Sequence, residues 1–552
     1  MSSLLQLFGL AAGGSFALAK FAPQYSLGAV LTTILLFTLL VALRIVWNGA
    51  VYPRYFSPLR DIPMAPGMQF PLGHTRRILR DPSGLPHREW MTVTKNDGLI
   101  RYMNWMRERI LVTNPSVLKE LLHTKSYEFV KPDQVRHGLA RILGRGILFA
   151  EGDEHKVQRK NLLPAFAFRH VKDLYPVFWD KAGDLVEALG EASIAAHKAK
   201  DETPEVPGEV KHAHGAIEVG SWISRSTLDI IGVSGMDRDF NALRDPDNEL
   251  SKQYRSVLNP SRVGRIIGVL AFFIPRWFVD RIPVKDNQNI WAAADYVKKV
   301  CRDMVVKKRQ AIAEKKTTRP DIISVALGSG MFNDEELVNQ MMTFLIAGHE
   351  TTASAMAWAT YLMCKHPDVQ KKLRDAVREK IPALRSNITT AQIDECHYLN
   401  AFCNEVLRLW PPVTMTLRVA SKDTSLNGHF IPKGTLIIIS PMAVNASTDM
   451  WGPDALEFKP ERWLDADGRA NNSGGADSAY SFLTFLHGPR ACIGQRFAEA
   501  EFACIVAAMV GRFDIRFEEG SVLAEGFPDI KGGVTSRPKA GVWVQLREVD
   551  GW

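Results

Sequence analysis

One cysteine constrains this chain more than any other residue. In the stretch 485–494, Cys492 lies between Gly488 and Gly494, Arg490 stands two positions before it, and a helical pattern runs on over 495–510. A helix N-terminus carries partial positive charge and unpaired N–H groups, so it favours thiolate over thiol. The glycines let backbone approach a large planar partner, and Phe485 is placed to shield the sulfur from water. Such a site suits an anionic sulfur ligand to a metal. The bland alternative is a buried free cysteine in a glycine-rich turn.

The other cysteines, Cys301, Cys364, Cys396, Cys403 and Cys504, are scattered. They have neither the paired spacing of a zinc site nor the density of a disulfide scaffold, which fits a reducing compartment. A net charge of +8 invites a nucleic-acid reading. No basic run or aromatic-interleaved patch supports one, and a basic face for an acidic protein partner fits better. Lys156, Arg159, Lys160, Arg490 and Arg496 are candidates for that face.

Between Lys20 and Arg44 lie 23 uncharged residues, among them 11 Leu, Ile, Val or Phe from Leu27 to Leu43. As a helix they span roughly 35 Å, enough for a hydrocarbon core of ~30 Å. A transmembrane helix at about 24–46 is the expectation, with a buried core helix as the alternative. Arg44, Arg54, Arg60, Arg76, Arg77 and Arg80 follow the span while only Lys20 precedes it, so the body lies on the cytosolic side. Three glycosylation sequons, at Asn387, Asn445 and Asn471, then stay unmodified.

Prolines 53, 58, 63, 66 and 71 disfavour helix over a hinge at 47–75. Helical periodicity dominates thereafter, as over 171–189 and 291–314, while strand-like runs such as 110–113 and 435–440 are short. Residues 196–214 read as a solvated insertion, and its His197, His212 and His214 as loop residues rather than a metal site. Residues 262–283 combine basic and aromatic residues in a way that suits a membrane surface, with a buried core helix nearly as good a fit.

Further motifs stand in a fixed order. His155 and Arg159 lie on a basic stretch. Glu350 and Thr351 follow Gly348 inside a helical pattern over 333–364, where glycine and threonines weaken the helix. Asn333 with Glu336 suits its N-terminal cap. Glu405 and Arg408, at i and i+3, share a helix face and can pair. Arg462 follows in a Pro-Glu-Arg-Trp run.

From about residue 50 to the C-terminus, these motifs together resemble the cytochrome P450 family. The stretch 485–494 is similar to the family's haem-binding signature, whose cysteine thiolate is the axial iron ligand. The resemblance implies a mainly α fold with small β-sheets, the cytochrome P450 fold, carrying haem b (iron protoporphyrin IX). Cys492 would be the metal ligand, with Phe485, Gly488 and Gly494 around it. Arg159, Arg418 and Arg490 match propionate-binding positions. His155 stands where the family has tryptophan, and its imidazole also suits a propionate. Glu350 and Thr351 match the pair that relays protons during oxygen activation. Glu405, Arg408 and Arg462 match a structural cluster beneath the haem. Stretches near 127–148, 344–351, 413–417 and 533–536 would face substrate.

The expected organisation is an anchor at 1–46, the hinge at 47–75 and a catalytic domain at 76–552. The resemblance implies a monooxygenase in the endoplasmic reticulum membrane, single-pass, with a cytosolic catalytic domain. It would take electrons from NADPH through NADPH-cytochrome P450 reductase, with cytochrome b5 as a second donor. Its substrate would be a bulky lipophilic molecule held mostly by burial. Similarity to fungal members suggests a secondary metabolite: a terpenoid, polyketide or alkaloid. The alternatives are a haem-thiolate isomerase or dehydratase, and a non-catalytic membrane haem sensor. The intact Glu350–Thr351 pair weighs against both.

Overall fold

A 32-residue helix, Asp334–Lys365, runs through the protein core in the computed structural model. The structure describes residues 2–198, 212–258, 261, 263–264, 267, 276–279, 281–282, 284–314, 321–531 and 535–552. The expected cap forms reciprocally: Glu336 N–H donates to Asn333 Oδ1 at 2.9 Å, and Asn333 N–H donates to the Glu336 carboxylate at 2.8 Å. Leu337, Met341, Leu345, Met356, Trp358 and Met363 are all buried. Every residue from Thr352 to Cys364 is buried as well, so burial extends to every side of the helix, the pattern of a core helix wrapped by others. Val219–Met236, Lys285–Ala313 and Gln495–Arg512 pack against it.

The short strand-like runs form small sheets, as expected. Five strands pair in the order Leu99–Asn104, Arg107–Val112, Leu436–Ile439, Thr416–Ala420, Phe129–Val130. The pair Arg109↔Leu436 is parallel and Arg418↔Ile437 antiparallel, so Arg418 sits in a central strand. A second sheet joins Ile217–Glu218, Trp543–Glu548 and Phe513–Phe517.

Two helices precede this body, Ser2–Phe21 and Ala29–Val46. Both are long and apolar enough to cross a membrane. They pack side by side, Phe8 on Phe37 at 5.9 Å between ring centroids and Ser15 Oγ donating to Ala29 O at 3.0 Å. The second begins at Ala29 rather than near 24, because Gly28 takes φ +88° and Pro23–Tyr25 forms a separate 3-10 turn. It also runs further than proline spacing predicts: Trp47–Phe56 continues it as a π-helix with Pro53 inside. The freed Pro53 carbonyl accepts from Arg101 Nη1 at 2.7 Å, tying the end of this helix to the sheet.

Most of the insertion, 199–211, and most of 262–283 lie outside the described residues. His212 stacks on Trp543 at 3.5 Å and meets the Glu518 carboxylate at 2.9 Å, while His197 and His214 face each other edge to face. Among the described residues no cluster of metal-binding side chains forms.

Candidate functional site

Residues Gly488–Arg490 make one 3-10 turn, and Cys492 N–H donates to Phe485 O at 2.8 Å. This closed loop presents the sulfur ahead of helix Gln495–Arg512, whose N-cap is Gly494. Gly488 has φ +76°, and a Cβ there would lie 2.2 Å from Leu122 O, so only glycine fits. Gly494 has an ordinary φ and room for a side chain, so conformation alone does not require it.

Cys492 is exposed, whereas the other five cysteines are buried. Its sulfur faces accessible space yet lies deep among protein atoms. Desolvation raises its pKa, opposed by the Gly494 N–H and the Arg159 charge. A bound metal cation favours the thiolate form at such a site.

One wall of the site is crowded with cationic groups. Arg418 is buried in its strand and donates to Thr416 Oγ1 at 3.0 Å and Leu417 O at 2.8 Å. Burial, then Arg490, lower its pKa to about 10. Arg490 pairs with Glu151 and donates to Ala150 O, but its Nε is buried without a partner. Arg159 Nη1 donates to Ala491 O at 2.7 Å. His155 is buried, bonded through Nδ1 to Tyr127 Oη at 3.1 Å, and lowered to about 4 by burial and then Arg490, so its ring is neutral at neutral pH.

Lys131, which no motif marks, joins this group. It bonds Leu148 O, and burial followed by Arg418 lowers its pKa to about 7. Glu151 answers only part of this charge. The donor set fits a haem: a thiol with open space before it, a glycine the fold cannot replace, and buried guanidinium groups suited to propionates.

Glu350 and Thr351 lie consecutively on the central helix, which stays α-helical through 347–352. Glycine and threonine at these positions do not interrupt the helix, and the Thr351 and Thr352 hydroxyls bond back to the carbonyls four residues earlier. A Cβ at Gly348 would lie 2.8 Å from Ile231 Cγ1, so this glycine serves the approach of helix Val219–Met236. Thr351 Oγ1 donates to Ala347 O at 2.7 Å. The Glu350 carboxylate accepts from Thr535 Oγ1 at 2.9 Å, in a stretch expected to face substrate, and lies 2.5 Å from Arg537 Nη2, a residue outside every stretch singled out from the sequence. Thr352 Oγ1 donates to the Glu501 carboxyl at 3.0 Å, and burial raises the Glu501 pKa well above the usual carboxylate value, opposed by this hydrogen bond.

Two expected placements change. Arg490 and Arg159 bond within the site rather than contributing freely to a basic surface. In the stretch 533–536, residues 533–534 lie outside the described residues, and the Ser536 carbonyl accepts from Ser354 Oγ and Trp358 Nε1. Ser536 therefore fastens the C-terminal turn to the central helix instead of facing substrate.

The acid–arginine cluster forms as the spacing predicts. Glu405 accepts from Arg408 Nε and Nη2, both at 2.7 Å, from Arg462 Nε at 3.2 Å and from Trp463 Nε1 at 2.9 Å. Arg408 also donates to the carbonyls of Asn445, Ala455 and Glu457. Glu405 and Arg408 are wholly buried. Their hydrogen bonds join helix His397–Leu409 to the loops preceding the cysteine segment.

The sequence profile described as cytochrome P450 matches residues 80–541. Cytochrome P450 monooxygenase sphH of Aspergillus fumigatus is 42% identical, with 100% of both chains covered. Cytochrome P450 monooxygenase ALT8 of Alternaria alternata is 40% identical over 92% of each chain, and FUM15 of Gibberella moniliformis is 36% identical over 91% of each. Cysteine loop, cationic wall, buried acid–arginine cluster and these similarities agree: the chain belongs to the cytochrome P450 family of monooxygenases.

Proposed function

We propose that the protein hydroxylates or otherwise oxidises a bulky lipophilic secondary metabolite, a terpenoid, polyketide or alkaloid. It would use molecular oxygen and electrons from NADPH delivered by NADPH-cytochrome P450 reductase, with cytochrome b5 as a second donor. The observation that carries the reading is the exposed Cys492 with Arg159 at its loop, together with the buried cations Lys131, Arg418 and Arg490 gathered about Glu151. The fungal origin of the relatives supports the secondary-metabolite class. Helix Ala29–Val46 is read as the single pass of an endoplasmic reticulum anchor, and the arginines that follow it support a cytosolic catalytic body.

The haem, once bound, supplies oxygen activation through its thiolate-ligated iron. Cys492 provides that thiolate, and Arg159, Arg418, Arg490 and Lys131 hold the propionates. His155, neutral and oriented by Tyr127, adds a neutral ring donor to this wall. Gly488 keeps the cysteine loop close against Leu122. Glu350 and Thr351 would relay protons during oxygen activation. Glu405, Arg408 and Arg462 hold the scaffold rigid.

Replacing Thr351 with alanine is expected to leave haem bound and divert electrons to hydrogen peroxide, by about a hundredfold relative to product. Peroxide and product yields per NADPH consumed measure this, and full coupling would remove Thr351 from the relay. The function itself is tested by mass spectrometry of a gene-deletion strain. The expected result is loss of a product one oxygen heavier than an accumulating precursor. An isomeric pair, or a pair differing by water, would replace oxygenation with the isomerase or dehydratase reading.

A further inference from the structure

Two helices and a two-stranded ribbon border a pocket of 380 Å³ beside the central helix. Ser221 and Ser224, at i and i+3, line it from helix Val219–Met236, and Ser251, Tyr254 and Arg255 from helix Glu249–Leu258. The ribbon pairs Ile530–Lys531 with Arg537–Pro538, and its register sets Lys531 directly opposite Arg537. Like charges opposed across a ladder destabilise it, yet both residues border this one pocket. With Arg255 and Lys539 they make four cationic residues against two carboxylates, Glu218 and Glu350. Glu218 is committed to its own helix N-terminus, accepting from Gly220 N–H at 2.9 Å and Ser221 N–H at 2.8 Å. Glu350 is held by Thr535 and Arg537.

Two groups here are buried with donors unused. Tyr254, 2% exposed, has no partner for its Oη. Neither Nε nor Nη2 of Arg537 has a hydrogen-bond acceptor, since Glu350 meets Nη2 only as an ion pair. Those two nitrogens form one edge of the guanidinium, the fork that grips a carboxylate or phosphate through parallel bonds. Buried donors left unpaired are costly. Water would satisfy the phenol, whereas an oxyanion would also offset the surplus of positive charge.

We propose that this pocket binds a small oxyanion, a phosphate or carboxylate, with Arg537 as its fork and Tyr254 Oη as a second donor. Arg255, Lys531 and Lys539, all exposed, draw the anion toward the site. The ligand competes with Glu350 for Arg537, so its binding is coupled through one guanidinium to the acid of the central helix. The pocket shares no lining residue with the cysteine loop or its cationic wall, and its occupancy does not depend on the reaction proposed above.

Isothermal titration calorimetry on the holoenzyme tests this, with inorganic phosphate and succinate as probes and potassium chloride at matched ionic strength as the control. One saturable site is expected, with heat that chloride does not reproduce. Saturation by phosphate alone identifies a phosphate ligand, by succinate alone a carboxylate, and by both a site that reads oxyanion charge; each supports the site. Tyr254→Phe, which keeps the ring against His349, is expected to weaken binding by about fivefold and Arg537→Gln by about tenfold. Glu350→Gln releases Arg537 from its ion pair and is expected to tighten binding by about tenfold, a gain that neither a general salt effect nor a damaged fold produces. Absence of saturable heat beyond the chloride control overturns the site. Wild-type affinity in Tyr254→Phe and Glu350→Gln overturns it as well, whether or not Arg537→Gln retains haem.

Discussion

Replacing Cys492 with serine is expected to abolish the red-shifted Soret band of the reduced carbon monoxide complex while part of the haem stays bound. The band reports electron donation by a thiolate. A serine hydroxyl in the same position cannot match it, because alkoxide is far harder to form than thiolate, and burial already penalises the anion at this site. The cationic groups are untouched by the change: Arg418, Arg490 and Lys131 would still be available to the propionates under the proposed reading. Difference spectroscopy and haem content measured on one preparation therefore separate ligand from cradle. An unchanged band would refute Cys492 as the ligand. Complete loss of haem would show that sulfur, not the wall, carries most of the affinity.

Glu405→Gln is expected to abolish accumulation of folded holoprotein. The substitution keeps the shape of the side chain and removes its charge. Arg408 is wholly buried and Arg462 nearly so, and Glu405 is the carboxylate they share. Removing one partner of a buried ion pair costs about 3–5 kcal/mol. That is a large share of a typical folding stability of about 5–15 kcal/mol. Three carbonyls that Arg408 holds, of Asn445, Ala455 and Glu457, would lose their alignment with it. Thermal unfolding and haem incorporation in microsomes check the expectation, and a wild-type melting temperature would remove the cluster from the stability of the fold.

The Glu405–Arg408 pair was legible because three residues along a helix is a contact in itself, and Arg462 was legible because the resemblance supplied it. Cys492 was legible for the same local reason: loop, glycine and following helix are contiguous. Lys131, Arg537, Thr535 and Glu501 carry no local signature. Lys131 acquires its lowered pKa from Arg418 and the burial around both. Arg537 acquires its partner from a helix far back in the chain. Gly348 has a further reason that spacing did not show, the close approach of Ile231, which leaves no room for a Cβ.

Local spacing marked the cysteine loop, the capped central helix and an apolar N-terminal segment, because each is encoded within a few turns of chain, while the family resemblance supplied the acid–threonine pair. Tertiary structure alone decided the partners of Glu350, which cations gather about Glu151, and how far the N-terminal helix runs. Those outcomes depend on burial and on partners distant in sequence, and neither can be read from the spacing of neighbouring residues.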